Sequence, residues 1–296
     1  MGKLGVSMLN KELLLSVTKP ARYIGGEIGA VKKDLSRMEV KVCLCFPDIY
    51  EIGMSHLGLR ILYDLINKQG DCAAERVFNP WSDMEEKLRN NHMPLFSLES
   101  GSPVKDFDIL GFSLQYELSY TNVLSILSLS EIPLKSSERD DRHPLVIAGG
   151  VCCLNPEPMA EFIDAFVIGE AEEVILEIIE VYKNSKNRKE DRKVLLKALS
   201  ALRGVYVPSL GVPLKISKRV VKDLEKALSL EHWVVPYIEI VHDNYKIAFA
   251  HFFHEILIQV FHAMFCKFFR VRSVQIARGY YLIGINIGTV LVRLAF

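Results

Sequence analysis

The chain has 296 residues, of which half are hydrophobic and 24% are charged, an ordinary composition for a soluble globular protein. Its 36 basic residues balance its 36 acidic residues, so the total charge gives no reason to expect binding to nucleic acid or to a membrane. The first residues lack a long apolar run followed by a small-residue cleavage site, and the six cysteines stand mostly in apolar runs. We therefore expect a cytoplasmic protein with reduced, buried thiols.

Apolar runs of strand length alternate with helical patterns over residues 36–185. The run VKVCLCF (Val40–Phe46) is almost continuously apolar, as in a strand that is buried on both faces. The segment MSHLGLRILYDLINKQG then places leucine and isoleucine at helical spacing. Further strands are predicted at AERVF, PLFSL, residues 108–114, PLVIAGG and DAFVIGE, and further helices at SDMEEKLRNN with Ser82 as its N-cap, residues 119–130 and EEVILEIIEVYK. This alternation predicts an α/β fold with a doubly wound parallel sheet.

Three other regions surround this predicted domain. Residues 1–35 form an N-terminal lead. Residues 186–244 form a connector with a short amphipathic helix, KVLLKALSALRG, and a strand predicted at residues 237–241. Residues 245–296 form an atypical tail with six basic residues, one acidic residue and eight of the chain's 15 phenylalanines, for which we expect an irregular or helical structure. So abrupt a change of composition indicates a boundary.

A ligand of an open parallel sheet binds outside the carboxyl ends of the strands, near the point where the strand order reverses. The loops expected there are PDIYEIGMSHLG, QYELSYTN, GGVCCLNPEP and GEAEE. The two glycines of the third loop permit close approach of a ligand to the backbone, and Asn155 could cap the helix after it. The candidate ligand-binding residues in these loops are Asp48, Ser55, His56, Gly58, Ser113, Gln115, Gly149, Gly150, Gly169 and Glu170.

Several of these features have a structural alternative. Paired glycines at a strand end are often only a tight turn. His56 could ligate a metal or simply begin a helix, and Glu170, Glu172 and Glu173 could be acid–base groups or could complement a helix dipole. Tyr116 and Tyr120 could stack on a planar ligand or pack in the core, and the adjacent cysteines Cys152 and Cys153 are expected to be buried packing residues. No G-x-G-x-x-G follows the first strand and no G-x-x-x-x-G-K-S/T occurs, which disfavours a dinucleotide or nucleoside triphosphate ligand.

Taken in order, the segments KPARYIGGE, FPDIYEIGMSHLGLRILYDLIN, AERVFNPWSDME, DILGFSLQYELSYTNVL, LVIAGGVCCLNPEP and DAFVIGEAEEVILEI resemble a known family. It is the amino-terminal part of the cobalamin-binding-domain radical S-adenosylmethionine (radical SAM) proteins, and in particular their long uncharacterised bacterial members. The resemblance implies a flavodoxin-like, cobalamin-type Rossmann domain at residues 36–185, followed by a barrel. It also implies a corrinoid ligand, a four-iron four-sulfur cluster on C-x-x-x-C-x-x-C, and S-adenosylmethionine.

Two family motifs are absent from this chain. The cobalamin signature D-x-H-x-x-G is missing, since Asp48 and His56 stand eight positions apart, so a cobalt-ligating histidine is not expected. C-x-x-x-C-x-x-C is also missing, and the positions of matching spacing are His262, Cys266 and Phe269. One thiol cannot hold a cluster that needs three thiolates. We therefore expect no radical catalysis from this chain.

Three hypotheses account for these features. The first is a cobalamin-type domain whose chain is truncated, or shifted in reading frame, beyond about residue 244. The second is a stand-alone module that binds a corrinoid or another small molecule and acts with an unknown partner protein. The third is a membrane-associated tail, but the stretch 247–265 is too polar and the stretch 279–292 too short for a predicted span. The motif HFFHE in the tail fits neither known metal-binding helix pattern, so no metal site is predicted there.

Overall fold

The computed structural model of the chain describes residues 11–211, 216–221 and 233–241, together with two short strands in the tail. The chain divides into two units, Met1–His242 and Asp243–Phe296. In the second unit, strands β7 (Leu282–Ile283) and β8 (Val290–Leu291) pair antiparallel, a pairing that the expectation of an irregular or helical tail did not include. The rest of the tail, with its HFFHE motif and Cys266, lies outside the described residues.

The first unit is built on a six-stranded sheet with the order β2-β1-β3-β4-β5-β6. The strands are β1 (Val40–Phe46), β2 (Cys72–Phe78), β3 (Ile109–Ser113), β4 (Leu145–Gly149), β5 (Ala165–Val167) and β6 (Val205–Tyr206). The first five run parallel, whereas β6 pairs antiparallel with β5. The predicted α/β class is confirmed, and the strands within residues 36–185 are parallel as predicted; the antiparallel β6 comes from the connector, for which no such pairing was predicted.

Helices cover both faces of the sheet. They are α1 (Lys11–Leu15), α2 (Tyr50–Gly53), α3 (Leu57–Asn67), α4 (Ser82–Asn90), α5 (Tyr120–Leu129), α6 (Val174–Arg188) and α7 (Arg192–Ser200). In β1, Val42 and Leu44 belong to the apolar cluster formed with α3, α6 and α7, whereas Cys43 and Cys45 belong to the cluster formed with α4 and α5. Every second side chain of a strand points to the same face, so a continuously apolar strand serves both layers.

The structure corrects four local predictions. PLFSL forms only an isolated bridge, Phe96 to Pro103, and residues 237–241 form no strand. Ser82 is the first residue of α4 rather than its N-cap, which is Trp81. Asn155 does not begin a helix: it is the C-cap of the 3-10 turn Val151–Leu154, and a second 3-10 turn, Glu157–Met159 with Pro156 as its N-cap, stands where a helix was expected. A short apolar run such as PLFSL can also form a buried loop, so its burial alone does not identify a strand.

The edge strand β2 is buried along its whole length because the lead segment and residues 95–101 cover it. At its centre, the fully buried Arg76 donates to Glu27 at 2.9 Å and to Glu99 at 2.6 Å. Tyr50 also donates to Glu27, at 3.0 Å. These carboxylates raise the pKa of Arg76 against the opposing effect of burial. The ion pairs therefore fix the lead segment onto the sheet.

Within the described residues, no helix is long and apolar enough to cross a membrane.

Removal of the Arg76 guanidinium should destabilise the protein strongly. Arg76→Met leaves Glu27 and Glu99 buried without their cation, and the expected loss is about 3–5 kcal/mol in the free energy of unfolding. Arg89→Ala, which breaks the exposed pair with Glu85, is the control and should cost less than about 0.5 kcal/mol. Urea unfolding followed by circular dichroism measures both, and equal small losses would contradict this role of Arg76.

Candidate functional site

A cavity of about 170 Å³ lies at the carboxyl ends of β1, β3, β4 and β5. Its walls come from the start of α3, the loops after β3 and β4, and the loop between β5 and α6. The chain leaves β1 towards β2 on one side, whereas β3, β4 and β5 follow on the other side, so the strand order reverses between β1 and β3. The cavity therefore lies at the switch point, where open α/β sheets bind their ligands.

Eight of the ten predicted residues line this cavity, namely His56, Gly58, Ser113, Gln115, Gly149, Gly150, Gly169 and Glu170. Asp48 and Ser55 do not. The Asp48 carboxylate accepts a hydrogen bond from the Tyr116 hydroxyl, which links the loops after β1 and β3. The Ser55 hydroxyl donates to the carbonyl oxygen of Glu51 at 2.7 Å. Ligand contact by the eight lining residues stays a prediction.

His56 caps α3. Its Nδ1 accepts the Leu59 N–H at 3.1 Å, and its ring packs against Phe46 with the ring centroids 5.1 Å apart. Burial lowers the pKa of His56, so the imidazole is kept neutral, with its remaining proton on Nε2. A Cβ at position 58 would lie 2.8 Å from the His56 ring, which explains the glycine there. His56 therefore forms the hydrogen bond of a residue that begins a helix, as the alternative to a metal ligand predicted.

The loops after β3 and β4 meet at Gly150. This residue has φ of +114°, and a Cβ there would lie 2.4 Å from the Leu114 carbonyl oxygen. Leu114 N–H in turn donates to Gly149 O at 2.7 Å. Among the described residues, no protein group hydrogen-bonds to the side chain of Ser113 or Gln115, and both line the cavity. Gly149 and Gly150 therefore form a tight turn. The polar side chains of Ser113 and Gln115 line the cavity beside it.

The loop between β5 and α6 has two sides. Gly169 and Glu170 line the cavity, but they also hold residues 216–221 of the connector. Glu170 accepts the Val221 N–H, and its own N–H donates to Arg219 O at 3.1 Å. The Arg219 guanidinium pairs with Glu173 and with Glu177 on α6. The first connector residues are thus fixed to the same loop that forms one wall of the cavity.

Sequence reasoning missed the apolar floor of the cavity. The floor consists of Leu44, Leu62, Gly111, Ile147, Val167 and Ile175. Apart from one glycine, these positions look like ordinary core residues. Gly111 inside a buried strand is the signal that could have found the floor, because strand glycines often mark a close approach of a ligand or of backbone. Glu172, one of the acid–base candidates from the sequence, also lines the cavity, and its Oε2 is buried.

The remaining candidates lie outside the cavity. Tyr116 and Tyr120 do not line it. The described cysteines are all buried, and burial raises the pKa of both Cys152 and Cys153, the latter to about 12. In the part of the chain that the structure describes, no group of three or more histidine, cysteine, aspartate or glutamate residues could hold a metal ion.

Comparison with known proteins identifies the family of the chain. Residues 58–208, about half of its length, match the family model described as "Radical SAM proteins, N-terminal". The chain belongs to this radical SAM N-terminal family. The matched span begins at Gly58 in α3 and extends past β6, so it contains most of the cavity wall.

Two individual proteins resemble this radical SAM N-terminal chain. An uncharacterized protein of Methanocaldococcus jannaschii is 27% identical over 146 residues, which is 48% of this chain and 27% of that protein. The chain thus spans about a quarter of that relative's length. The structure of TsrM from Kitasatospora setae, a radical S-adenosylmethionine methyltransferase bound to tryptophan and a SAM analog, is 12% identical with a TM-score of 0.38. That match covers 60% of this chain and 30% of the TsrM chain.

A methyl group at position 150 should disrupt the turn beside the cavity. Gly150→Ala combines a left-handed φ with contact to Leu114 O, so we expect a loss of about 1–3 kcal/mol or more in unfolding free energy. Gly149→Ala is the matched control, because its Cβ would meet only Val167 at 3.8 Å. Urea unfolding of the two variants provides the measurement. Equal losses would show that the strain at Gly150 is not what fixes the turn.

The buried neutral His56 should make stability depend on pH. Since its pKa is lowered in the folded state, its contribution is present above the unfolded pKa of about 6.5 and is lost as the pH falls below that value. His56→Asn keeps a capping acceptor and has no titrating ring. Chemical unfolding from about pH 8 to about pH 5.5 should show a smaller loss for this variant than for the unchanged protein. Identical pH profiles would contradict a buried, neutral His56.

Proposed function

We propose that residues 36–185 form the corrinoid-binding domain of a radical SAM protein and that the corrinoid binds at the carboxyl ends of β1, β3, β4 and β5. The observation that carries the proposal is the cavity at the switch point, which is lined by glycines and apolar side chains. The order of the first five strands, 2-1-3-4-5, is that of flavodoxin-like sheets, which bind their cofactor at the reversal between β1 and β3. This agreement supports both the flavodoxin-like assignment and the position of the ligand.

The size of the cavity limits how a corrinoid could bind. Complete pockets for drug-sized ligands measure about 300–1,000 Å³. A cavity of about 170 Å³ therefore accepts one group of the size of a single aromatic ring, here called a ring-sized group. The larger part of a corrinoid would remain outside it. Gly149, Gly150 and Gly169 are the residues at its rim, where the absence of side chains permits close approach to the backbone. The residues present fit a peripheral group of the corrinoid.

His56 is not proposed as a cobalt ligand. Its Nδ1 already accepts the Leu59 N–H, so Nε2 carries the proton of the neutral ring and has no lone pair for a metal. Any corrinoid bound here would be held by the glycine-rich loops and the cavity without an axial imidazole from His56. The corrinoid, when bound, would supply the cobalt chemistry. This chain's residues would bind and orient it.

The described cysteines do not fit an iron–sulfur cluster. Cluster ligands are thiolates, and Cys43 and Cys45 are buried inside β1, where burial raises the pKa of both thiols. The motif C-x-x-x-C-x-x-C does not occur in these 296 residues. We therefore assign no step of S-adenosylmethionine cleavage to this chain. In the proposal, the cluster and the radical chemistry belong to another part of the radical SAM protein or to a partner.

Titration of the full chain with hydroxocobalamin tests the proposal. We expect saturable binding with a shift of the corrinoid absorbance. Gly149→Val should weaken binding by about tenfold or more, because its side chain would enter the cavity and displace the ring-sized group. Gly70→Val makes the same change away from the cavity, where a Cβ meets no atom within 4 Å, and should bind like the unchanged protein. Absence of saturable binding, or equal weakening by both substitutions, would refute the proposed site.

A further inference from the structure

The loop between β5 and α6 contains three glutamates that differ in their hydrogen bonding. Glu170 accepts the Val221 N–H, and Glu173 accepts from the Arg219 guanidinium at 3.1 Å. Glu172 stands between them and lines the cavity. Its Oε2 is buried and, within the described residues, accepts no hydrogen bond. Two of the carboxylates thus hold the connector, whereas Glu172 lines the cavity and its Oε2 has no hydrogen bond from the described residues.

The described residues that line the cavity provide no positive charge for Glu172. No lysine or arginine is found among the residues that line the cavity in the described part of the chain. His56, the remaining basic side chain there, is kept neutral, and its Nδ1 is occupied by Leu59. A buried carboxylate oxygen is costly when no donor faces it. The described lining therefore supplies no cation for the Glu172 carboxylate, and a ligand that brings a hydrogen-bond donor is favoured beside it.

We propose that Glu172 is the specificity-determining residue of this cavity and selects a neutral or cationic ring-sized group that carries an N–H or O–H donor. The inference deepens the proposed function, on which it rests for the identity of the cavity as a ligand site. An anionic group, such as a carboxylate or a phosphate, is excluded because it would lie beside Glu172 without a cation. A cavity of about 150 Å³ admits benzene, so single aromatic rings are suitable probes for a volume of about 170 Å³.

Three probes of similar size distinguish the effect of a hydrogen-bond donor on affinity from the effects of shape and charge. Aniline carries a neutral N–H donor, toluene replaces the amino group by methyl, and benzoate carries a negative charge. Titrations of the full chain at neutral pH, followed by two-dimensional NMR of the labelled protein, give the three affinities. We expect aniline to bind at least about tenfold more tightly than toluene, since hydrogen bonds to charged groups are stronger than neutral ones, and we expect benzoate to bind most weakly. Equal binding of aniline and toluene would overturn the proposal.

The substitution Glu172→Gln removes the charge and introduces an amide donor at nearly constant shape. It should reduce the preference for aniline over benzoate by at least about tenfold. Glu180→Gln is the matched control, since Glu180 is an exposed residue of α6 that pairs with Asn184 outside the cavity. An unchanged preference in Glu172→Gln, or an equal change in Glu180→Gln, would assign the selectivity to another group. The ranking of the three probes in the unchanged protein tests the proposal even if Glu172→Gln does not fold.

The outcome for hydroxocobalamin distinguishes this inference from the proposed function. If hydroxocobalamin binds saturably but aniline, toluene and benzoate bind equally, the role of Glu172 is wrong and the corrinoid site remains. If the probes rank as expected but hydroxocobalamin does not bind, the donor-selective cavity remains and the corrinoid assignment is wrong.

Discussion

The parallel pairing of β1 with β3 determines where this domain can bind a ligand. The pairing sets Leu44 beside Gly111 and Gly111 beside Ile147, so the centre of the sheet has a shallow floor at the position without a side chain. Because the chain leaves β1 towards β2 on one side and leaves β3 towards β4 on the other, no crossover helix covers the carboxyl ends between them. The cavity follows from this gap, and the loops after β3, β4 and β5 close around it.

The same loop residues serve both the cavity and the connector. Gly169 has φ of +114°, and a Cβ there would lie 2.2 Å from Arg219 O, so its contact with the connector explains why this residue is a glycine. Glu170 and Glu173 hold the connector, and Glu172 remains for the cavity. Binding in the cavity and attachment of residues 216–221 therefore act on one short segment. This gives the radical SAM N-terminal chain a physical connection between its proposed ligand site and the residues that follow the sheet.

The strands and their layers were predictable from sequence because continuous apolar runs and helical spacing report burial directly. The segment PLFSL was misread because it is equally buried, but it covers β2 as a loop. Among the described residues, its one backbone hydrogen bond to the strand runs from Leu98 N–H to Arg76 O, and the Ser97 hydroxyl donates to the Glu75 side chain. For the site, a position near the end of a strand was sufficient to predict that Gly149, Gly150 and Gly169 lie together, since all three line the cavity. It was not enough for Asp48 and Ser55, whose side chains are drawn to Tyr116 and to the backbone of Glu51. The proposed role of Glu172 depends on the contacts of its neighbours, since Glu170 and Glu173 bind Val221 and Arg219, which lie more than 40 positions away in the chain. Local sequence does not reveal these contacts.

The most direct test of the central claim, that the switch-point cavity is the ligand site, is an NMR map of the labelled chain with and without hydroxocobalamin. The account predicts that the largest amide shift changes fall at Gly58, Gln115, Gly149 and Gly150 and in the loop from Gly169 to Glu172, which border the cavity. The polar cleft around His143, Lys186 and Arg192, where strands of the sheet begin, should be unaffected. Shift changes concentrated in that cleft, or none at the cavity, would contradict the account.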